Sequence, residues 1–200
     1  MAKLVNWHKF EAKMKEKRIF LFSAFDVRKV FPISPVAASF LLYRYANKGF
    51  ILRVKRGLYV FPDALPPDLY IANKLCEPSY VSLEFALSYW GVIPETVYQI
   101  TSITSKTPRR FETLGKIYSY RRITTRNAFT GYSVEKQKGF SFFIADPEKA
   151  FVDSLYFRIF DGKKPINRFN KSKINIAKAI KYASLFKNPK LIGIVKTTLK

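Results

Sequence analysis

One cysteine, Cys76, and one histidine, His8, stand in a chain of 200 residues. A single thiol closes no internal disulfide, and with a single imidazole it builds no Cys/His zinc site, so a reducing, cytoplasmic setting is expected. No Ser/His/Asp or Cys/His arrangement assembles around His8, which reads as a surface residue of the first helix. Gly-rich phosphate loops and dinucleotide fingerprints are missing, and no cofactor is expected. Long apolar runs are missing too. The longest, such as "FFIA" and "IFLF", fall far short of the ~20 residues needed to span a bilayer. The opening "MAKLVNWHKFEAKMKEKR" alternates charge with apolar residues, which suits neither a signal peptide nor an anchor, and no membrane partner is expected. There is no internal repeat and no low-complexity tract.

Acidic residues are scarce, 14 against 36 Lys and Arg, leaving a net charge of +22. That excess exceeds what solubility needs, and its natural partner is a polyanion. Residues 1–65 carry +9, residues 66–160 only +3, and residues 161–200 carry +10, so the basic character lies at the two ends. What the chain has in quantity is apolar and aromatic material. An apolar share of 48%, with 19 Phe and 12 Tyr, is ample for the cores of one ordinary domain or two small ones.

The first 61 residues read as three helices and a hairpin. Trp7, Phe10 and Met14 share one face of a first helix ending near Lys17. Ser23 with Asp26 has the form of a capping box for a second helix, Ala24 to about Phe31, which must stop at Pro32. Ser34 as N-cap, Pro35 at the first helical position and Gly49 past the end frame a third helix, about Pro35 to Lys48. "FILRVKRGLYVF" reads as two strands joined at Lys55, Arg56 and Gly57. This order is the layout of a winged helix-turn-helix. "PDALPPD", residues 62–68, reads as a linker because its three prolines block helix and sheet alike. Beyond it, Leu69–Cys76 suits a helix. A second follows Ser82 as N-cap, with Phe85, Ala86 and Tyr89 as its apolar face and Gly91 as its stop. "VYQITSIT", "KIYSYRRI" and "FSFFIA" suit strands, and Pro147 to about Phe157 suits a helix. Ile174, Ala177, Ile180 and Leu185 fall on one face of a basic amphipathic helix, and a shorter ending follows around Pro189–Leu199. The expected fold is α+β: a winged helix-turn-helix over 1–64, a small mixed α/β domain over 65–160, and a basic helical tail over 161–200.

On the third helix, Ala37, Phe40, Leu41 and Tyr45 are expected to converge inward while Ser39, Tyr43 and Ala46 face away, flanked by Asn47. Ser39, Tyr43 and Asn47 are then the side chains placed to reach base edges, because hydroxyl and amide groups both donate and accept there. Arg44 packs its stem and sends its guanidinium to a phosphate. Lys48, Arg53, Lys55 and Arg56 lie at or beside the hairpin tip and suit phosphate or minor-groove contact. The alternatives are plain: a helix packed for its core alone, and solubilising charges on a turn. The cap, the turn before the helix and the hairpin after it favour double-stranded DNA.

"IADPEKAFVDSLYF", residues 144–157, gathers Asp146, Glu148, Lys149 and Asp153. A metal-dependent nuclease needs two carboxylates and a lysine converging from strands, with Glu and Lys one residue apart so that both point to one face. Here Glu148 and Lys149 are adjacent, and a strand would send them apart. Asp146 suits an N-cap, Pro147 the first helical position and Glu148 the positive end of the dipole, so a helix is expected, with Lys149 facing solvent.

"YVSLEFALSYWGVIPE", "ITSITSKTPRRFETLGKIYSYRRI", "FTGY" and "IADPEKAFVDSLYF" resemble, in order, signature blocks of the AbiEi antitoxins of type IV toxin–antitoxin systems, which are linked to abortive phage infection. "LLYRYANKGFILRVKRGLYVF" is similar to the winged-helix module that precedes those blocks. The resemblance runs from about Phe22 to Phe160. It implies a cytoplasmic transcriptional repressor that binds inverted repeats in its own operator and counteracts a cognate nucleotidyltransferase-like toxin. It also implies that Ser82, Glu84, Tyr89, Gly91, Pro147, Glu148 and Asp153 are framework residues of the second domain, none of them catalytic. Three other readings stay open at this point: a stand-alone winged-helix regulator, a nuclease using Asp146 and Glu148, and a basic protein that coats nucleic acid without sequence preference.

Overall fold

A computed structural model describes residues 5–200, so the first four residues of the charged opening stretch lie outside the described residues. The architecture is α+β, in two units, Met1–Pro67 and Asp68–Lys200.

In the first unit each helix begins where a side chain satisfies its free amides. Asn6 accepts from Lys9 N–H at 2.9 Å and opens α1 (Trp7–Glu16). The Asp26 carboxylate accepts from the Ser23 N–H at 3.0 Å and from its hydroxyl at 2.7 Å at the start of α2 (Ala24–Val30). That helix stops one residue sooner than its sequence suggests, because Phe31 precedes a proline and takes an extended conformation. Ser34 accepts from Ala37 N–H at 3.2 Å and opens α3 (Pro35–Asn47), with Gly49 at φ +73° just beyond its end.

Three antiparallel strands complete this unit in the order β1-β3-β2: β1 (Leu21–Phe22), β2 (Leu52–Lys55) and β3 (Leu58–Val60). The β2–β3 turn needs Gly57, at φ +79°, where a side chain would be strained. A register shift between Arg53 and Lys55 inserts Val54, which is buried. "IFLF" thus supplies a strand, β1, that only long-range pairing makes visible.

Aromatic rings dominate the core. Phe10 sits 5.7 Å from Phe22, 5.8 Å from Phe31, 5.2 Å from Tyr45 and 6.1 Å from Phe61, centroid to centroid. Met14, Val27, Ala38, Leu41, Leu42 and Ile51 fill the space around them. One ring therefore joins α1, α3 and the strands.

The second unit is built on a six-stranded mixed sheet, ordered β6-β7-β5-β4-β9-β8. Its strands are β4 (Ser79–Val81), β5 (Ile100–Thr104), β6 (Arg109–Thr113), β7 (Lys116–Arg122), β8 (Tyr132–Gln137) and β9 (Phe140–Ala145). Of these, β5, β7 and β9 match the runs read from sequence. The other three were not read as strands: β4 is three residues long, and β6 and β8 are the polar edges, each closed onto its neighbour by a two-residue turn at Leu114–Gly115 or Lys138–Gly139 with both residues at positive φ.

Helix α4 (Asp68–Leu75) packs on β4 and β9, and α5 (Leu83–Tyr89) on β5 and on α6 (Pro147–Phe160). Within α5 the buried face is Leu83, Ala86 and Leu87, while Phe85 is half-buried and Tyr89 exposed, correcting the expected Phe85–Ala86–Tyr89 face. Residues 161–200 belong to this unit. Helices α7 (Ile176–Ser184) and α8 (Pro189–Leu199) both pack on α6, so the expected tail is part of a folded body. The inward residues of α7 are Ala179 and Ala183, followed by Phe186, whereas Ala177 is exposed. Small residues let the helix approach α6 closely.

Replacing Phe10 by Ala should lower the opening free energy of the α1 and α3 amides by about 3–5 kcal/mol, as large-to-small changes of buried aromatics do. Residue-resolved hydrogen exchange measures it, and a change under about 1 kcal/mol would remove Phe10 from its central place.

Candidate nucleic-acid interface

Helix α3 divides along its length. Each residue turns by about 100°, and Ala38, Leu41, Leu42 and Tyr45 form the buried side. Ser39, Tyr43 and Asn47 are exposed, as their spacing predicts, and Lys48 beyond them is exposed too, whereas Ala46, expected outward, is half-buried against the core. Phe40 is a correction: expected inward, it is 69% exposed, and with Val36 and Tyr43 it stands on the outward arc. The apolar residues of α3 nearly encircle it, so periodicity alone could not fix which arc the core would take.

The outward residues have the chemistry to meet a polyanion. No carboxylate occurs between Asp26 and Asp63 in sequence, and the stretch from Pro35 to Val60 carries Arg44, Lys48, Arg53, Lys55 and Arg56. Lys48, Arg53 and Arg56 are exposed and form no ion pair among the described residues, while Lys55 is half-buried. Arg44 is half-buried, and its guanidinium carbon, expected to reach outward, lies 5.6 Å from the centroid of the Tyr45 ring. The Tyr45 hydroxyl donates to Val5 O at 2.7 Å, and burial raises its pKa. Ser39 already donates to Pro35 O at 3.0 Å, which leaves its hydroxyl free to accept. Tyr43 and Asn47 form no hydrogen bond through their side chains among the described residues and present donors and acceptors together.

The second cluster of charge lies at the start of α6. Asp146 accepts from Lys149 N–H at 2.8 Å and so caps the helix. It also accepts from the Tyr182 hydroxyl at 2.6 Å and pairs with Lys178 at 3.0 Å. Glu148 pairs with Lys178 at 2.9 Å and accepts from Asn175 N–H at 3.0 Å. Both carboxylates are thereby turned to α7. Lys149, expected in solvent, is fully buried: its ammonium pairs with Asp153 and lies 4.7 Å from the Phe186 ring centroid. Asp153 further accepts from the hydroxyls of Tyr80 at 3.0 Å and Ser82 at 2.8 Å. Ser82 therefore directs its hydroxyl to Asp153 rather than to a helix amide. Gly131 makes room for this packing, since a Cβ there would fall 2.8 Å from Tyr182 and 2.9 Å from Lys149. No group of three or more His, Cys, Asp or Glu close enough to hold a metal occurs among the described residues.

The titrations follow from this geometry. Complete burial holds Asp153 above the usual carboxylate range, although Lys149, Ser82 and Tyr80 pull it down. Burial also pushes Glu148 upward, but the Asn175 N–H and Lys178 outweigh it, and its pKa is lowered. Lys178 is lowered by burial and raised by more through Glu148 and Asp146. Tyr182 is pushed up to about 12 by burial and its bond to Asp146.

A cleft of about 610 Å³ in the same unit is lined by Tyr70, Asn73, Ser79, Phe129, Tyr132 and Phe143 among others. Asn73 joins the sheet there, accepting from Phe143 N–H at 2.5 Å. No helix of the described residues is long and apolar enough to cross a membrane.

Removing the Asp153 carboxylate with Asp153→Ala strands Lys149 in the interior and should cost about 3–5 kcal/mol, measured by chemical denaturation. The pH dependence of α7 is also set. A lowered Glu148 stabilises the fold above its ordinary value of 4.5 and ceases to do so as pH falls through the folded value; a raised Lys178 does so below 10.5 and ceases as pH rises through its own. Amide protection of α7, corrected for intrinsic exchange, should hold level between these limits and fall outside them, and Glu148→Gln should weaken the acid dependence. No family model matches this chain, and no curated protein does. Among solved structures it is similar to the RV2827C protein from Mycobacterium tuberculosis, with a TM-score of 0.47 and 12% identity over 99% of this chain and 83% of that one.

Proposed function

We propose that the protein is a DNA-binding transcriptional regulator, and specifically the antitoxin and autorepressor of a type IV toxin–antitoxin operon. Residues 5–67 act as a winged helix-turn-helix: α2 and α3 are the helix-turn-helix, α3 enters the major groove, and the β2–β3 hairpin is the wing. The observation that carries this reading is the carboxylate-free stretch from α3 to β3, where exposed cations flank hydrogen-bonding side chains on one helix face. Lys48, Arg53, Lys55 and Arg56 neutralise phosphates, Arg44 supports them, and Ser39, Tyr43 and Asn47 read base edges. The antitoxin part rests on the order of the blocks from "YVSLEFALSYWG" to "IADPEKAFVDSLYF". In that role the second unit counteracts a nucleotidyltransferase-like toxin in the cytoplasm.

Titration against the DNA upstream of its own gene and against a scrambled duplex, near physiological salt, tests the first claim. A preference of ~10³ or more is expected, the low end for specific binders. Equal, salt-sensitive binding to both would reduce the protein to a polyanion coat. Arg56→Ala should weaken binding and flatten the slope of log K against log salt by ~0.9, the value of one phosphate contact. An unchanged slope would remove the wing from the interface.

A further inference from the structure

Phe40 is 69% exposed and Val36 64%, on the same outward arc of α3 as Tyr43 and Asn47. Neither is explained by hydrogen-bonding readout. Phe40 makes no ring contact among the described residues, whereas the exposed Phe25 of α2 is at least covered by Lys29, 4.4 Å from its centroid. Large apolar side chains gathered on one exposed face mark a binding surface.

Three occupants are conceivable for such a face, and charge separates them. A second copy of this chain would bring a like-charged face, five more cations without a carboxylate from Pro35 to Val60, against the first. An apolar partner helix would satisfy Phe40 and Val36 but would leave Lys48, Arg53 and Arg56 unmatched. Duplex DNA matches both, because the major groove is lined by phosphates and its one apolar projection is the 5-methyl group of thymine. A helix of 13 residues, about 20 Å long, is of a size to lie there.

We propose that Phe40, with Val36 beside it, packs on thymine 5-methyl groups in the major groove and selects for thymine at the positions α3 covers. The inference rests on the DNA-binding reading above and adds its apolar half. Tyr43 and Asn47, about one and two turns beyond Phe40 on the same arc, take the neighbouring hydrogen-bonding edges. Thymine is thereby distinguished from cytosine by a contact rather than by charge.

Uracil tests this directly, since it keeps the pairing and the O4 acceptor of thymine and lacks only the methyl. The upstream duplex is prepared with thymine and with deoxyuridine at every thymine, and each is titrated with the full chain and with Phe40→Ala, Phe40→Leu and Val36→Ala. Wild type should bind the thymine duplex more tightly, about fourfold per methyl contacted, which corresponds to ~0.8 kcal/mol per buried apolar carbon. Phe40→Ala should lose most of the discrimination and fall toward the wild-type level on uracil DNA, Val36→Ala should lose a smaller part, and Phe40→Leu should keep more of it than Phe40→Ala. Equal wild-type affinity for the two forms of an upstream duplex preferred over scrambled DNA would overturn the inference and leave the repressor reading standing. Discrimination that persists undiminished in both Phe40→Ala and Val36→Ala would also overturn it, by placing the methyl effect elsewhere. No preference for upstream over scrambled DNA would overturn both. Dissociation of a dimer by Phe40→Ala, with thymine and uracil duplexes bound alike, would make the face a contact between copies instead.

Discussion

Carboxylates are the scarce component of this protein, and much of its structure follows from where they go. With 14 of them against 36 cations, each one placed internally fixes a joint and leaves another region without neutralisation. Asp26 closes the start of α2 and Asp146 that of α6. Asp153 holds the buried Lys149, and Glu148 with Asp146 anchors Lys178 of α7. Asp63 and Glu11 meet on Lys15. Lys48, Arg53 and Arg56 form no ion pair among the described residues. Exposed cations so placed cost the folded chain self-repulsion, which a bound polyanion would relieve.

The same distribution changes the meaning of the C-terminal charge. Residues 161–200 carry +10 and in sequence resemble a solvated arm. In the fold, Lys178 is occupied by Asp146 and Glu148, and Lys173 donates to Trp90 O at 2.9 Å. Part of that charge is therefore structural cement for α7. One cation of this helix, Lys178, is held by the acidic start of α6, which a count of charges cannot reveal.

What the sequence discloses depends on the range over which each feature is decided. Asn6, Ser23, Ser34 and Asp146 cap helices through bonds to residues at most three positions away, and of these Ser23, Ser34 and Asp146 are legible from spacing alone. The turn at Gly57 is likewise local. Lys149 is different. Its i,i+4 partner Asp153 suggests an ordinary surface pair, but Tyr80 and Phe186, distant in sequence, cover it. β1 exists only because β3 lies beside it, and β6 and β8 are polar because each is an edge. The face of α3 failed for a related reason: when Val36, Ala37, Ala38, Phe40, Leu41 and Leu42 are all apolar, the buried arc is chosen by the ring of Phe10 and its neighbours, not by the helix itself.

That failure bears on mechanism. Had Phe40 been inward, α3 would present hydroxyls, an amide and cations, a surface suited to any duplex with suitable phosphate spacing. Cations give affinity that salt erodes and that no base sequence alters. Discrimination needs groups whose fit changes from one base pair to the next, and in the major groove these are hydrogen-bonding edges and one methyl. On the proposal above, an α3 that offers Tyr43 and Asn47 for the edges and Phe40 for the methyl would hold both kinds, while Lys48, Arg53 and Arg56 would hold it to the backbone. In the proposed reading, charge would bring this unit to DNA, and the uncharged side chains between the cations would determine where on the DNA it stays.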